Sequence, residues 1–329
     1  MIISVLIALF ILSFMVFFHE LGHFLSAIYF KIPVEEFAIG MGPKLFDIKG
    51  KLATYSLRIV PLGGYVKIKG MELGEEEDIF RKKKFHEKFI VVIAGVVMNF
   101  LLAFLIFLTM NLINGHINFH STVVNKIENG KSIFKLGDKI LYVEGIKVNN
   151  WRDFINLILN NEKNPMIEIE VERNNKKEII KIENSEDKIK LFSYAYPWKR
   201  SFLGSIEVSF RAVKNGIKNS FGIVKKLAKR ELKTQEVSGP IGIIKQIKDN
   251  TNDIWKLLLI AAYISLSLGV FNLFPFPALD GGRLIFIILE ALGIKVNKKV
   301  EEIVHLIGFI ILILLTIIVG RNDILKLRK

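Results

Sequence analysis

Residues 2–24 read IISVLIALFILSFMVFFHELGHF, seventeen uncharged residues running into a short polar patch. At about 1.5 Å per residue, such a run nearly crosses the roughly 30 Å of bilayer hydrocarbon, so a membrane-spanning helix is predicted. On that helix His19 and His23 stand one turn apart, ~40° around the axis and ~6 Å along it, so both imidazoles face one point. Glu20 lies on the flank between them, where it can reach a metal-bound water rather than the metal. An acidic side chain at mid-span costs ~2.5–3.5 kcal/mol on translocon scales, so an ionisable cluster there needs a function or a buried partner. The pattern therefore predicts a metal centre, against the plainer reading of two satisfied core histidines beside a surface glutamate.

The apolar reading repeats along the chain. Uncharged stretches cover 89–113, 257–274 and 303–320, each close to the ~20 residues that a span requires. Four of them predict a membrane α-helical protein with four transmembrane helices rather than buried helices of a large soluble fold. The first is not a cleavable signal, because it lacks a basic n-region and an A-x-A-like site, and its apolar part is too long.

Composition agrees. The 329 residues are 51% apolar, and 46 Lys+Arg against 32 Asp+Glu give +14, with a mean hydropathy of +0.39. These values exclude a disordered or fibrous chain. With no Cys, disulfide frameworks, thiol nucleophiles and Cys-ligated zinc are excluded, which leaves His and carboxylates as metal ligands. In so hydrophobic a chain, the positive balance fits loops beside anionic lipid better than nucleic acid.

Residues 31–88 hold 12 Lys/Arg, including Arg81-Lys82-Lys83-Lys84, while nothing basic precedes the first span. The positive-inside rule puts 31–88 in the cytoplasm and both termini outside, together with the loop 114–256. Within that loop, 121–190 reads as one small β-rich domain: strands at 121–127, 139–143, 166–171 and 177–182, a Gly137-Asp138 turn and a helix at 151–159. Beyond it, 210–232 sets Phe210, Val213, Ile217, Phe221, Val224 and Leu227 on one helical face with Lys and Arg elsewhere. Such a helix either lies at a membrane surface or packs on the soluble domain. The organisation is then an N-terminal membrane part (1–113, spans near 2–30 and 89–113, a β region at 40–71), the small domain (114–200), an amphipathic segment (201–253) and a C-terminal membrane part (254–329, spans near 254–274 and 303–320).

A catalytic zinc site takes three protein ligands and keeps one position open, so two histidines are one short. Leu279-Asp280-Gly281-Gly282 follows the third span, after Pro275 and Pro277 end its regular helix. Non-helical backbone of this kind can line a polar cavity at membrane depth. Asp280 reads as a ligand, as a partner of Arg283 or as a helix N-cap. His116 and His120 are also four apart but have no Glu between them and read as loop histidines. His86 and His305 have no partner in sequence.

Taken in order, these residues resemble the site-2 protease family of zinc intramembrane metalloproteases. The closer resemblance is to the bacterial branch with an extracytoplasmic PDZ domain. It rests on His19–His23 in the first span and on Asn272-Leu273-Phe274-Pro275-Phe276-Pro277-Ala278-Leu279-Asp280-Gly281-Gly282 around the third. Gly40-Met41-Gly42-Pro43, Pro61-Leu62-Gly63-Gly64-Tyr65-Val66, Ser238-Gly239-Pro240-Ile241-Gly242 and Asn322-Asp323-Ile324 agree in order, and Gly95-Val96-Val97-Met98-Asn99 stands where the family usually has A-G-P before M-N. The resemblance implies Zn2+ held by His19, His23 and Asp280, Glu20 as general base, Asn272 near the substrate backbone, and a membrane re-entrant β-hairpin. In such an enzyme the segments 61–70, with Gly63, Gly64 and Tyr65, and 272–282 would pair with an unwound substrate strand. It further implies a multi-pass protein of the bacterial cytoplasmic membrane, with the PDZ-like domain extracytoplasmic and the site near the cytoplasmic face. Its partners would be the bilayer and transmembrane substrates such as an anti-sigma factor, a signal-peptide remnant or a pheromone precursor, in regulated intramembrane proteolysis and with no nucleic acid. The rival readings are a zinc transporter or sensor, and a non-catalytic scaffold built on the PDZ-like domain.

Overall fold

The computed structural model describes residues 2–71, 79–127, 132–161, 164, 166–183, 195–229, 239–294 and 296–327. Its helices are α1 (Ile2–Tyr29), α2 (Phe85–Asn114), α3 (Trp151–Asn160), α4 (Phe202–Ala228), α5 (Pro240–Asp249), α6 (Ile254–Asn272), α7 (Asp280–Ala291) and α8 (Lys298–Leu327). The strands are β1 (Val34–Lys49), β2 (Thr54–Ile68), β3 (His116–Ile117), β4 (Lys126–Ile127), β5 (Lys139–Val143), β6 (Ile146–Lys147), β7 (Met166–Arg173), β8 (Lys176–Glu183), β9 (Ala195–Tyr196) and β10 (Trp198–Lys199). The chain divides into two compact units, Met1–Phe107 with Arg211–Lys329, and Leu108–Phe210.

Four helices among the described residues are long and apolar enough to cross a membrane: Ile3–Tyr29, Phe85–Asn114, Ile254–Asn272 and Lys298–Arg321. They cover the four predicted stretches. Large apolar side chains stay open along α8, Phe309, Leu314 and Ile317 among them, as suits a helix solvated by lipid rather than water. A buried cluster of Phe24, Phe37, Ile68, Val91, Val92 and Ile287 ties α1, β1, β2, α2 and α7 together. Strands β1 and β2 pair antiparallel, Val34 with Ile68 through Lys49 with Thr54, with several register shifts. The hairpin thus starts at Val34, six residues before the β region read from sequence.

The chain leaves α6 at Asn272 and turns through Pro275 and Pro277. Ala278 takes φ +75°, a left-handed conformation that a non-glycine residue adopts at a cost. Its N–H donates to Nδ1 of His305 on α8, 2.9 Å away. A Cβ at Gly308, one turn on, would meet the Pro277 carbonyl oxygen at 2.5 Å, so α8 lies directly against this bend. A helix after Asp280 was implied only by the N-cap reading; the helix α7 that follows is capped at Leu279 instead. It opens on Asp280, with a carboxylate in its first turn, where the helix dipole favours negative charge.

In the second unit a four-stranded antiparallel sheet runs in the order β6-β5-β7-β8. Ile140, Val143, Ile167, Ile169 and Val171 of that sheet share a core with Trp151 and Phe154 of α3. Asn150 caps α3, its side chain accepting from the N–H groups of Arg152 and Asp153. The predicted strand at 121–127 is reduced to β4 and a single bridge from Val123 to Lys139. His116, read as a loop histidine, is buried in β3, which pairs with β10. The amphipathic helix starts at Phe202, eight residues earlier than read; its expected end near Leu232 falls outside the described residues.

Candidate metal centre

Helix α1 brings His19 and His23 to one face with their ring centroids 4.8 Å apart. Both are buried, 6% exposed, on a mostly apolar helix whose only charged residue is Glu20. Room for them comes from α2. A Cβ at Gly95 would stand 2.4 Å from Nε2 of His23 and 2.7 Å from Cε1 of His19, so a larger residue there would displace the imidazoles. Asp280 arrives from the start of α7, and its carboxylate Oδ2 lies 3.2 Å from Nε2 of His19 and 3.3 Å from Nε2 of His23. The two Nε2 atoms are themselves 3.3 Å apart.

Three lone-pair atoms thus form a nearly equilateral triangle, and Asp280 Oδ2 is buried without a directed hydrogen-bond partner. Ligands at about 2.0–2.1 Å around a tetrahedral zinc ion stand about 3.3–3.4 Å apart. The triangle has those edges, and its donors are two imidazoles and a carboxylate, a set that zinc accepts. The residues fit a zinc ion with one position left open.

The other ring nitrogens are also engaged. Nδ1 of His23 donates to the Val91 carbonyl at 2.8 Å, which fixes the tautomer that leaves Nε2 free to ligate. Nδ1 of His19 lies 3.0 Å from the side-chain amide of Asn99. Asn99 is fully buried, its Oδ1 unpartnered, and its backbone carbonyl accepts from Ser265 Oγ of α6 at 2.8 Å. An amide exchanges its N and O positions by a half-turn, so Asn99 can present Oδ1 to an N–H at Nδ1 of His19 and free Nε2 for a metal. Sequence reading missed Asn99 as part of the site. A polar side chain near the middle of the uncharged 89–113 stretch was the available signal.

Of the residues singled out from sequence, His19, His23 and Asp280 meet, and Asn272 joins them with its amide nitrogen 3.3 Å from Nε2 of His19. Glu20 is flanked by the hairpin: its Oε2 accepts from the backbone N–H of Val66 at 3.0 Å. Gly63, Gly64 and Tyr65 lie in β2 just ahead of that contact. Gly63 has φ +78°, and Tyr65 donates to Glu36 at 2.8 Å in a cluster with Arg58 and Ser56. Burial raises the Glu36 pKa, but hydrogen bonds from Ser56, Tyr65 and Arg58 outweigh it and bring the pKa down to about 2. The D-G-G run is explained by contact: a Cβ on Gly281 would fall 2.2 Å from the Phe274 carbonyl oxygen, and one on Gly282 2.3 Å from that of Phe276. Bare backbone here lets α7 fold back on the bend and aim Asp280 at α1.

Residues 7–315 match the family described as Peptidase family M50. A protein of Fusobacterium nucleatum, named provisionally as a zinc metalloprotease, is 38% identical, the match covering 98% of both chains. The regulator of sigma-W protease RasP of Bacillus subtilis is 28% identical over 95% of this chain and 96% of its own. The zinc metalloprotease RasP of Geobacillus kaustophilus is 27% identical over 95% of each.

Proposed function

The chain belongs to peptidase family M50 and is a zinc metalloprotease of the site-2 type, a multi-pass membrane protein; from that premise we propose that it hydrolyses peptide bonds within transmembrane segments of other membrane proteins. His19, His23 and Asp280 hold the zinc ion, and Glu20 is the general base. The observation that carries this reading is the triangle of His19, His23 and Asp280 ligand atoms, each within 4.8 Å of the others.

When bound, zinc supplies Lewis acidity and makes water nucleophilic near neutral pH. The protein's own groups do the rest. Glu20 takes the proton of the attacking water and delivers it to the leaving amine, the standard work of a carboxylate placed beside rather than on the metal. Asn272 stands over His19, where its amide can hold a substrate carbonyl. A helical substrate screens its carbonyls by hydrogen bonding, so it must unwind before it is cut. Strand β2, carrying Gly63, Gly64 and Tyr65, offers backbone to that unwound segment as an added strand.

The 12 Lys/Arg between 31 and 88 support a cytoplasmic hairpin region in a bacterial inner membrane. The 114–200 domain then lies outside as a PDZ-like domain that screens substrates by the size of their outer parts. The name of the Bacillus relative ties that protein to regulation of a sigma factor. An anti-sigma factor, released by regulated intramembrane proteolysis, is the substrate type proposed by analogy. The test compares membrane proteomes of cells carrying the wild type or Glu20→Gln. The variant is expected to keep its zinc and to accumulate uncut membrane fragments. Identical fragment patterns from a zinc-loaded Glu20→Gln protein would remove the proteolytic reading.

A further inference from the structure

Two of the three metal ligands share helix α1, whereas the third arrives on a bend with few bonds to the rest of the protein. Pro275 and Pro277 have no N–H to donate. The N–H groups of Phe274, Phe276 and Leu279 are used locally, on the carbonyls of Phe271, Phe274 and Phe276. Among the described residues, one hydrogen bond ties 273–279 to another helix. It runs from the Ala278 N–H to Nδ1 of His305 on α8, over 2.9 Å.

That bond falls on the strained residue. Ala278 has φ +75°, a conformation that a residue with a Cβ keeps only under outside constraint. Asp280 follows two residues later as the first residue of α7. A return of Ala278 to negative φ would redirect the chain that leaves it and carry Asp280 off the triangle of ligand atoms. The same imidazole rests against Phe286 of α7, ring centroids 5.4 Å apart, so it contacts the chain on both sides of Asp280. The carboxylate has no other anchor: among the described residues its partners are His19 and His23, and its Oδ2 has no directed hydrogen bond. Its place is therefore set by the backbone. His305 is buried. A backbone N–H can only donate, so Nδ1 is the acceptor and the ring is neutral. An apolar residue at 305 would leave the Ala278 N–H without that acceptor.

We propose that His305 is a positioning residue for the metal centre: by accepting from the Ala278 N–H, it holds the left-handed turn that delivers the Asp280 carboxylate to His19 and His23. It is not itself a ligand. The inference rests on the zinc site given under the proposed function and extends it to α8, a helix that supplies none of the three ligands.

The test measures metal binding by the full-length protein in a non-ionic detergent, with no assay of cleavage. Competition with a chromogenic chelator reads zinc affinity, and Co2+ loaded in place of zinc reports ligand geometry through its visible absorption bands. His305→Phe keeps an aromatic ring beside Phe286 but has no acceptor. It should bind zinc roughly tenfold more weakly and shift the Co2+ bands. His305→Asn, whose side-chain oxygen branches from Cγ as Nδ1 does, should restore both. A role in packing alone predicts the reverse order, since asparagine fills the space less well than phenylalanine. Elution volume and thermal unfolding of the metal-free proteins report folding, and His305→Leu replaces His305→Phe if that variant does not fold. Wild-type affinity and bands in a folded variant without the acceptor overturn the proposal, as does a His305→Asn protein as impaired as His305→Phe. A wild type that binds zinc no more tightly than Asp280→Ala overturns the metal site on which the proposal rests, a failure distinct from the other two.

Discussion

Oε2 of Glu20 accepts the backbone N–H of Val66 at 3.0 Å, so the proposed general base on α1 is held by the edge of strand β2. These residues are 46 apart in sequence, and the contact couples the orientation of an acid beside the metal centre to the seating of the hairpin. Val66 pairs with Phe37 across the hairpin, and its N–H points away from that partner toward α1.

Val66→Pro removes this donor alone, because an outward-facing N–H at a strand edge is where proline is tolerated. A hydrogen bond to a charged acceptor contributes about 1.5–3 kcal/mol, so cleavage should fall roughly tenfold or more. Zinc content should not change, since no ligand is touched. The measurement is kcat and KM on a detergent-solubilised transmembrane substrate, with the loss expected in kcat. A wild-type kcat in the zinc-loaded variant would mean that the contact does not orient Glu20.

Asn99 makes a prediction about metal retention. If its carbonyl oxygen fixes the tautomer of His19, then Asn99→Ala should weaken zinc binding about 10–100-fold, the range found when partners of metal-ligating histidines are removed. Asn99→Asp, which can still accept from Nδ1–H, should recover much of the loss. Competition against a chromogenic chelator reads this without any assay of cleavage. Equal zinc affinity in wild type and Asn99→Ala would confine Asn99 to packing between α2 and α6.

How much of this was legible in the sequence depends on the distance over which each signal acts. His19 and His23 declare themselves within five residues, because helical periodicity alone places both imidazoles on one face. Asp280 was visible as an acid after a proline-broken span, but its own surroundings left three roles open and only the family resemblance singled out the ligand role; in the structure its carboxylate lies 3.2–3.3 Å from both rings. Helix α7 was foreshadowed only by the N-cap reading of Asp280, since Leu284–Leu289 is a short apolar run whose period does not distinguish helix from strand. The support that His305 gives to Ala278 bridges 27 residues and was invisible, because a single imidazole carries no pattern. The strand expected at 121–127 is only partly formed, because only Val123, Lys126 and Ile127 find partners in ladders or bridges.

Asp138 gives a pH dependence outside the membrane part. It is fully buried. Burial alone would raise its pKa, but Arg173 donates twice, at 2.8 and 2.7 Å, and with the Lys135 N–H holds the carboxyl below its ordinary value. A depressed folded pKa contributes stability that is complete above the unfolded value of about 3.9 and is lost as pH falls through the folded pKa. The sheet amides of the 108–210 unit should therefore lose protection, after correction for intrinsic exchange, as pH falls from about 5 to 3. Arg173→Met should lower protection already at pH 7, because it leaves a buried carboxylate unpaired. It should also flatten the acid dependence. A wild-type unit whose protection does not change down to pH 3 would show that the pair does not contribute to stability.

Asp323, near the end of α8, supplies the N-terminal cap that α5 lacks. Gly239 occupies the cap position and has no side chain to offer. Oδ1 of Asp323 accepts from the Gly239 N–H at 3.3 Å, and Oδ2 from that of Gly242 at 3.0 Å. The two resemblance motifs, one around Gly239 and the other around Asp323, are thus halves of one contact, though Ser238 lies outside the described residues. Glycine is needed at 239 because a Cβ there would stand 2.6 Å from Oδ2 of Asp323. A carboxylate at a helix N-terminus also meets the positive end of the dipole. Removing a cap costs about 0.5–2 kcal/mol, so Asp323→Ala should speed exchange of the 241–249 amides several-fold to about thirtyfold. Ile247 of α5 is fully buried and packs with Ala8 of α1 and Leu257 of α6, so those neighbours should loosen with it. Zinc affinity should hold, because α5 contributes nothing to the triangle of ligands. Unchanged exchange across 241–249 in Asp323→Ala would show that α5 is held by its apolar face alone.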